Sequence, residues 1–188
     1  MPERDPRPDP PLRAPSRVEL ALPGPEASDA LARRLALRLA PGDTLLLSGP
    51  LGAGKTHLAR AVVRALTRED QDVPSPTYTL VQTYERPSAG PGPGLAAEIW
   101  HADLYRLTDP AEIEELGLAE AIGAAICLIE WPERLPAPPP DAISLALAMA
   151  GEGRRLTATG AGPRWAALAP AFEATDFEAP AFEDSPDD

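Results

Sequence analysis

The sequence contains no asparagine, one lysine and one cysteine. A lone thiol, Cys127, cannot close an internal disulfide, which fits a reducing compartment. No apolar run approaches the ~18 residues that span a bilayer. The opening Met1-Pro2-Glu3-Arg4-Asp5-Pro6 is too polar and proline-rich for a secretory apolar segment. These absences together lead us to expect a cytoplasmic protein with no membrane association. Positive charge is scarce as well. The chain has 17 Lys and Arg against 29 Asp and Glu, a net charge of −12 and a pI near 4.6. A groove that tracks a nucleic-acid backbone needs clustered cations, so direct, unaided tRNA or DNA binding is not expected. Aromatics are only 5% of residues, so the core must be mostly aliphatic.

What is present suits one domain with a sizeable core: 188 residues, 44% of them hydrophobic. Residues 1–16 hold six prolines among charged residues and read as a disordered tail. Residues 17–165 carry the periodic patterns of a folded domain. Residues 166–188 read as an acidic tail: seven acids and no base lie beyond residue 166, with Phe172, Phe177 and Phe182 spaced five apart. The plain reading of that tail is a solvated segment, and the sharper one is an acidic, aromatic docking segment.

Along the domain, Arg17–Leu22 alternates as a short strand, and Glu26–Leu39 has helical apolar spacing at Leu31, Leu35, Leu37 and Leu39. Thr44–Ser48 is an apolar run of the kind found in buried parallel strands. A helix is expected over Lys55–Leu66, strands over Tyr78–Glu85 and Ala96–Asp103, and a Pro/Gly-rich loop over Pro87–Gly94. Thr108-Asp109-Pro110 reads as a helix start, with Glu112, Glu114 and Glu115 in the first turns. Ala124–Ile129 is an apolar strand ending at Glu130. Ile143–Met149 and Arg154–Thr159 flank the turn Gly151-Glu152-Gly153 as an antiparallel hairpin.

Gly49-Pro50-Leu51-Gly52-Ala53-Gly54-Lys55-Thr56 matches the P-loop pattern between a strand and a helix. Its glycines let successive N–H groups face phosphate oxygens, and the following helix offers its positive N-terminus to the same anion. Lys55 is the residue expected to reach the β- and γ-phosphates, and the Thr56 hydroxyl to ligate magnesium. The chain uses Arg at every other cationic position, so Lys55 marks a place where a compact ammonium is required. Magnesium needs a second anchor, usually an acid at the end of a neighbouring strand. Asp103 and Glu130 both qualify, each ending an apolar strand. Thr77, in Ser75-Pro76-Thr77-Tyr78-Thr79, occupies the place where many NTPases sense the γ-phosphate, with a plain turn as the alternative.

Four blocks in order resemble one family. They are Ser48–Thr56, Ser75–Val81, His101-Ala102-Asp103-Leu104-Tyr105-Arg106-Leu107 and Leu128-Ile129-Glu130-Trp131-Pro132. The family is TsaE, the ATPase family of bacterial tRNA threonylcarbamoyladenosine synthesis, and the resemblance spans roughly residues 18–160. It implies an α/β P-loop NTPase fold with a mixed, mainly parallel central sheet flanked by helices. It implies ATP and Mg2+ as cofactors, and hydrolysis that supports a TsaB–TsaD complex, with tRNA met only through that complex. By the same resemblance Gly52, Ala53, Gly54, Lys55, Thr56 and His57 hold the phosphates, and Thr56 and Glu130 ligate magnesium. Asp103 joins them directly or through another ligand. Glu130 also orients the attacking water, and Thr77 sits in a switch-like loop. Arg154 lies near the nucleotide, Pro23–Ser28 near its adenine side, and Trp131 is the family's tryptophan. Three positions depart from the pattern: His57 where a second threonine is common, Ala102 where phenylalanine is usual, and Ser28 where threonine is common.

The alternatives meet opposing features. A P-loop small-molecule kinase needs an arginine-rich lid, and the loop at 86–94 has only Arg86. A GTPase needs an Asn/Thr-Lys-x-Asp guanine reader, which a chain with no asparagine and no lysine beyond Lys55 cannot supply. A nucleotide-gated scaffold that works through its acidic tail would lose its function if the chain were cut near residue 164, whereas an ATPase module should survive the cut.

Overall fold

The computed structural model describes residues 16–68, 70–88 and 96–173. Seven strands form one sheet. They are β1 (Ser16–Leu22), β2 (Thr44–Ser48), β3 (Val81–Arg86), β4 (Ala97–Asp103), β5 (Ile126–Glu130), β6 (Ile143–Ala150) and β7 (Gly153–Gly160). Their order across the sheet is β1-β7-β6-β2-β5-β4-β3. The centre is parallel: β2 pairs with β5 and β6, and β4 pairs with β5. The outer pairs β1/β7, β6/β7 and β3/β4 are antiparallel. This is the mixed α/β sheet expected from the sequence, and β6–β7 is the expected hairpin. That hairpin is not the sheet's edge, because β1 pairs along the whole of β7.

Strand alternation sorts the core into two layers. Leu45 and Leu47 of β2, and Ile126 and Leu128 of β5, face α1 (Pro25–Ala36) and α2 (Lys55–Leu66). Leu46, Cys127 and Ile129 face α3 (Pro110–Glu115) and α4 (Leu118–Ala121). Burial pushes the Cys127 thiol up to about 12, against a smaller opposing effect of its hydrogen bond with Thr44. The same parity carries to the strand ends. Ile99 belongs to the α1/α2 layer, so His101 and Asp103, two and four residues on, share its side of the sheet. Glu130, two residues after Leu128, does as well. Three polar side chains are thereby brought to the face where α2 begins.

Several element limits differ from the sequence reading. Helix α2 forms over Lys55–Leu66 as expected, but α1 stops at Ala36, not Leu39, with Leu37 as its C-cap. Strand β3 begins at Val81, not Tyr78. Residues 77–80 are a turn closed by the Leu80 N–H donating to the Pro76 carbonyl at 2.6 Å, with Leu80 at φ 65°. The start of α3 is as read: Asp109 Oδ1 accepts from the Ala111 N–H at 2.9 Å, and Glu112 Oε2 accepts from the Asp109 N–H. Ser16, read as part of the Pro-rich tail, opens β1, and residues 1–15 lie outside the described residues. So do most of the Pro/Gly-rich loop and residues 174–188.

The packed unit runs past residue 165 to Phe172. Helix α5 (Gly162–Leu168) and the short turn Ala169–Ala171 bring Trp165, Leu168, Ala171 and Phe172 into the main core. The Trp165 and Phe172 rings stack at 5.7 Å between centroids. Gly160 makes room for this, since a Cβ there would lie 2.5 Å from Trp165 Cε3. Arg34 Nε donates to the Ala171 carbonyl at 2.9 Å, and the Arg164 guanidinium pairs with the buried Asp43 carboxylate at the start of β2. An even spacing of phenylalanines in an acidic segment masked this in the sequence, because the first of the three is a core residue. Phe172→Ala is therefore expected to destabilise the fold by about 3–5 kcal/mol. A thermal or denaturant midpoint equal to that of the parent would return Phe172 to a solvated tail.

Candidate nucleotide site

The loop between β2 and α2 is shaped by its first glycine. Gly49 has φ 134°, and a Cβ there would sit 2.2 Å from the Leu147 carbonyl oxygen of β6. Only glycine allows the chain to pass so close to the neighbouring strand while turning in the left-handed region. The loop then curls through Gly52 and Gly54 into α2, whose first residues are Lys55 and Thr56.

Lys55 is buried, and its ammonium donates to the carbonyls of Gly49 at 2.7 Å and Pro50 at 2.8 Å. Its Nζ also lies 3.9 Å from the centroid of the Trp131 ring. Burial holds the Lys55 pKa below the usual lysine value, against the opposing pull of Glu130, Glu133 and Asp103. An anion bound at the loop would favour the charged ammonium.

Thr56 Oγ1 donates to Glu130 Oε2 at 2.7 Å, linking the first turn of α2 to the end of β5. Glu130 is 1% exposed, and its other oxygen, Oε1, meets His101 Nε2 at 2.9 Å. Asp103 is Glu130's register partner on β4. Its Oδ2 accepts from Thr77 Oγ1 at 2.9 Å and its Oδ1 from the Tyr105 N–H at 3.0 Å. Thr77 in turn shares a hydrogen bond with Ser75 Oγ at 2.8 Å. Trp131, directly after Glu130, adopts φ 59° and ψ 52°, a left-handed conformation that a bulky residue rarely takes. Its N–H donates to the Leu47 carbonyl at 3.1 Å, and its ring packs against Tyr105 at 4.8 Å between centroids.

The sequence-predicted residues thus separate into groups. Gly52, Gly54, Lys55, Thr56, His57, Thr77 and Asp103 line one cleft of ≈ 300 Å3, together with Tyr105, Arg106 and Trp131. Ala53 is buried beneath the loop. Arg154 lies behind it: Nε donates to the Ala53 carbonyl and Nη2 to the Gly52 carbonyl, each at 3.2 Å. Arg154 therefore braces the loop from its carbonyl side. With Leu22, Gly24, Pro25, Ser28, Gly54 and His57 it also borders a second hollow of ≈ 210 Å3. His57 turns toward Asp29 at 3.1 Å. His101 was passed over in the site reading, although a histidine inside an apolar strand, two residues before the strand-end acid, is the signal that would have found it.

Among the described residues no three His, Cys, Asp or Glu side chains converge as a metal cage. Magnesium does not require one, since it takes one or two carboxylates, keeps several waters and completes its shell with phosphate oxygens. A threonine hydroxyl touching a carboxylate oxygen at a helix N-terminus, with a second carboxylate on the next strand, is a hard-oxygen donor set that fits this ion.

Comparison with known proteins gives consistent matches. Residues 22–156 match the family model described as threonylcarbamoyl adenosine biosynthesis protein TsaE. The tRNA threonylcarbamoyladenosine biosynthesis protein TsaE of Rickettsia felis is 40% identical over 140 residues, 73% of this chain and 76% of its own. Its namesake in Streptomyces coelicolor is 38% identical over 143 residues, 72% of this chain and 92% of its own. That of Bacillus subtilis is 34% identical over 149 residues, 77% and 86% respectively. The crystal structure of Bacillus subtilis YdiB superposes with a TM-score of 0.64 at 26% identity, covering 85% of this chain and 96% of that one.

The contact at Gly49 supplies a direct test of the loop. Gly49→Ala must displace either the loop or the β6 backbone, at a cost of roughly 1–3 kcal/mol. We expect a lower unfolding midpoint for this variant, while Gly52→Ala, with open space around its added methyl, bears only the conformational strain of its φ. Equal effects of the two substitutions would remove the close approach to Leu147 as the constraint.

Proposed function

We propose, from the premise that this chain belongs to the TsaE family of threonylcarbamoyl adenosine biosynthesis proteins, that it binds ATP with Mg2+ and hydrolyses it in the cytoplasm to support a TsaB–TsaD-type complex. The observation that carries this reading is the 2.7 Å contact between Thr56 and Glu130, which joins the P-loop helix to a strand-end carboxylate. A buried ionised carboxylate is costly unless it serves a cation or a hydrogen-bond network. Its position beside the P-loop threonine gives that cost a use.

In this reading the loop N–H groups and the start of α2 hold the phosphates, and Lys55 neutralises the β- and γ-oxygens. Thr56 and Glu130 are the residues that would hold magnesium, with Asp103 alongside. Bound there, the ion would neutralise charge on the phosphate oxygens. Glu130 also orients the attacking water. Thr77, tied to Asp103, carries the state of the 75–80 loop to the edge of the site. Arg154 keeps the loop carbonyls turned back, so that the loop's N–H groups remain available on the cleft side. The hollow bordered by Gly24, Pro25, Ser28 and Arg154 suits the adenine side of the nucleotide. With a net charge of −12, contact with tRNA would pass through the partner complex.

The test is magnesium-dependent ATP hydrolysis by the chain alone and with a cognate TsaB–TsaD pair. Stimulation by the pair, abolished by Glu130→Ala, is the expected result. Turnover that survives Glu130→Ala would take Glu130 out of the chemistry. ATP hydrolysis without any response to the pair would refute the partner assignment and leave the ATPase.

Lys55→Ala supplies a separate prediction for binding. Losing the ammonium should weaken ATP by at least about tenfold, the scale of one charge-assisted contact worth roughly 1.5–3 kcal/mol. Calorimetric titration with a non-hydrolysable ATP analogue reads this directly, and an unchanged Kd would refute the phosphate role.

A further inference from the structure

We propose that His101 is a positioning residue that holds the Glu130 carboxylate with Oε2 turned toward Thr56. The inference rests on the magnesium reading of Thr56 and Glu130 given above.

The argument begins with burial. His101 is 0% exposed and Glu130 is 1% exposed, so neither is open to bulk solvent. A glutamate has three side-chain torsions, so the strand backbone alone does not fix the plane of its carboxylate. Here both oxygens are taken. Oε1 meets His101 Nε2 at 2.9 Å, and Oε2 accepts from Thr56 at 2.7 Å. Without the imidazole the plane of the carboxylate could swing about its last torsion, which is broad. With it, one oxygen is occupied on the sheet side and the other is left for the α2 terminus. Strand parity makes the contact possible, since His101 and Glu130 lie on the same face of adjacent parallel strands.

Toward an ionised carboxylate, which only accepts hydrogen bonds, His101 would donate from Nε2. Nδ1 is buried with no hydrogen-bond partner. A side chain kept only for packing would not need this. An apolar residue of similar size would fill the same space without leaving a polar atom unpaired, and the unpaired atom costs free energy. What an apolar residue could not supply is the hydrogen bond to Glu130. Carboxylate or histidine ligands held by such neighbours lose about 10–100-fold in metal affinity or activity when the neighbour is removed.

The experiment compares His101→Leu with His101→Gln. Leucine keeps apolar volume and removes the donor, whereas glutamine can offer an amide N–H at similar reach. ADP affinity is measured by calorimetry with and without Mg2+, and the ratio of the two constants is the magnesium-linked part. In the parent this ratio should be well above one. His101→Leu should lower the ratio by about tenfold or more and leave the magnesium-free affinity unchanged, and His101→Gln should recover much of the ratio. A loss shared equally by both affinities would mean that His101 supports the fold alone, and would overturn the proposal. So would a ratio in His101→Leu equal to the parent's. If His101→Leu yields no folded protein, the ratio in His101→Gln decides against Glu130→Gln, which lowers it by removing the ligand charge itself. A glutamine variant near the parent supports the proposal, and one as low as Glu130→Gln overturns it. A parent ratio of one would instead sink the magnesium reading on which the proposal stands.

Discussion

The bond between Thr56 and Glu130 is the point on which the rest of the site depends. It joins the first turn of a helix to the last residue of a strand, two elements 74 positions apart in sequence. Helix α2 must then start at one height above the sheet, and β5 must end there. A carboxylate at 1% exposure would be destabilising on its own. It is tolerated because a hydroxyl, an imidazole and a nearby ammonium surround it. Removing any of these leaves the others with a worse electrostatic balance. The site is therefore a coupled set, and single substitutions within it should not add.

The loop meets a constraint of a different kind. Gly49 must pass within touching distance of the Leu147 carbonyl so that Lys55 can fold back beneath the loop and reach the carbonyls of Gly49 and Pro50. Lys55 is then desolvated among three acids, which oppose the effect of its burial. Trp131 completes the arrangement by a strained backbone that turns its ring over the ammonium. This conformation directly follows Glu130, so the end of β5 fixes both the carboxylate and the ring.

Much of this was legible in the sequence. The P-loop carried its own signature, the strands on either side of it were apolar runs, and the hairpin at 143–160 alternated cleanly. Asp103 and Glu130 stood out because acids ending apolar strands call for an explanation. What stayed hidden depended on parity and on distant packing. His101 lies on the same face as Glu130 only because β4 and β5 are in parallel register, which no local pattern shows. Strand β1 closes the far edge of the hairpin by a pairing that spans most of the chain. Phe172 looked like one of three evenly spaced tail aromatics, and its partner Trp165 could not be assigned to it without the fold. The Arg154 guanidinium meets the carbonyls of Gly52 and Ala53, about a hundred positions earlier, a contact that no local pattern shows.

The two strand-end acids are register partners but are tied to different parts of the chain. Glu130 is held by a residue at a helix N-terminus and by a residue inside the sheet. Asp103 is held by Thr77 from the 75–80 turn and by the backbone of Tyr105. That turn touches the sheet through few bonds, one of them the Asp103 N–H to the Leu80 carbonyl at 2.9 Å. Its aromatic residue, Tyr78, is 83% exposed and stacks with Arg106 at the cleft mouth. The geometry thus separates an acid tied to α2 and the sheet from an acid tied to the 75–80 turn. Both are buried and they are register partners, so it is their hydrogen-bond partners that distinguish them.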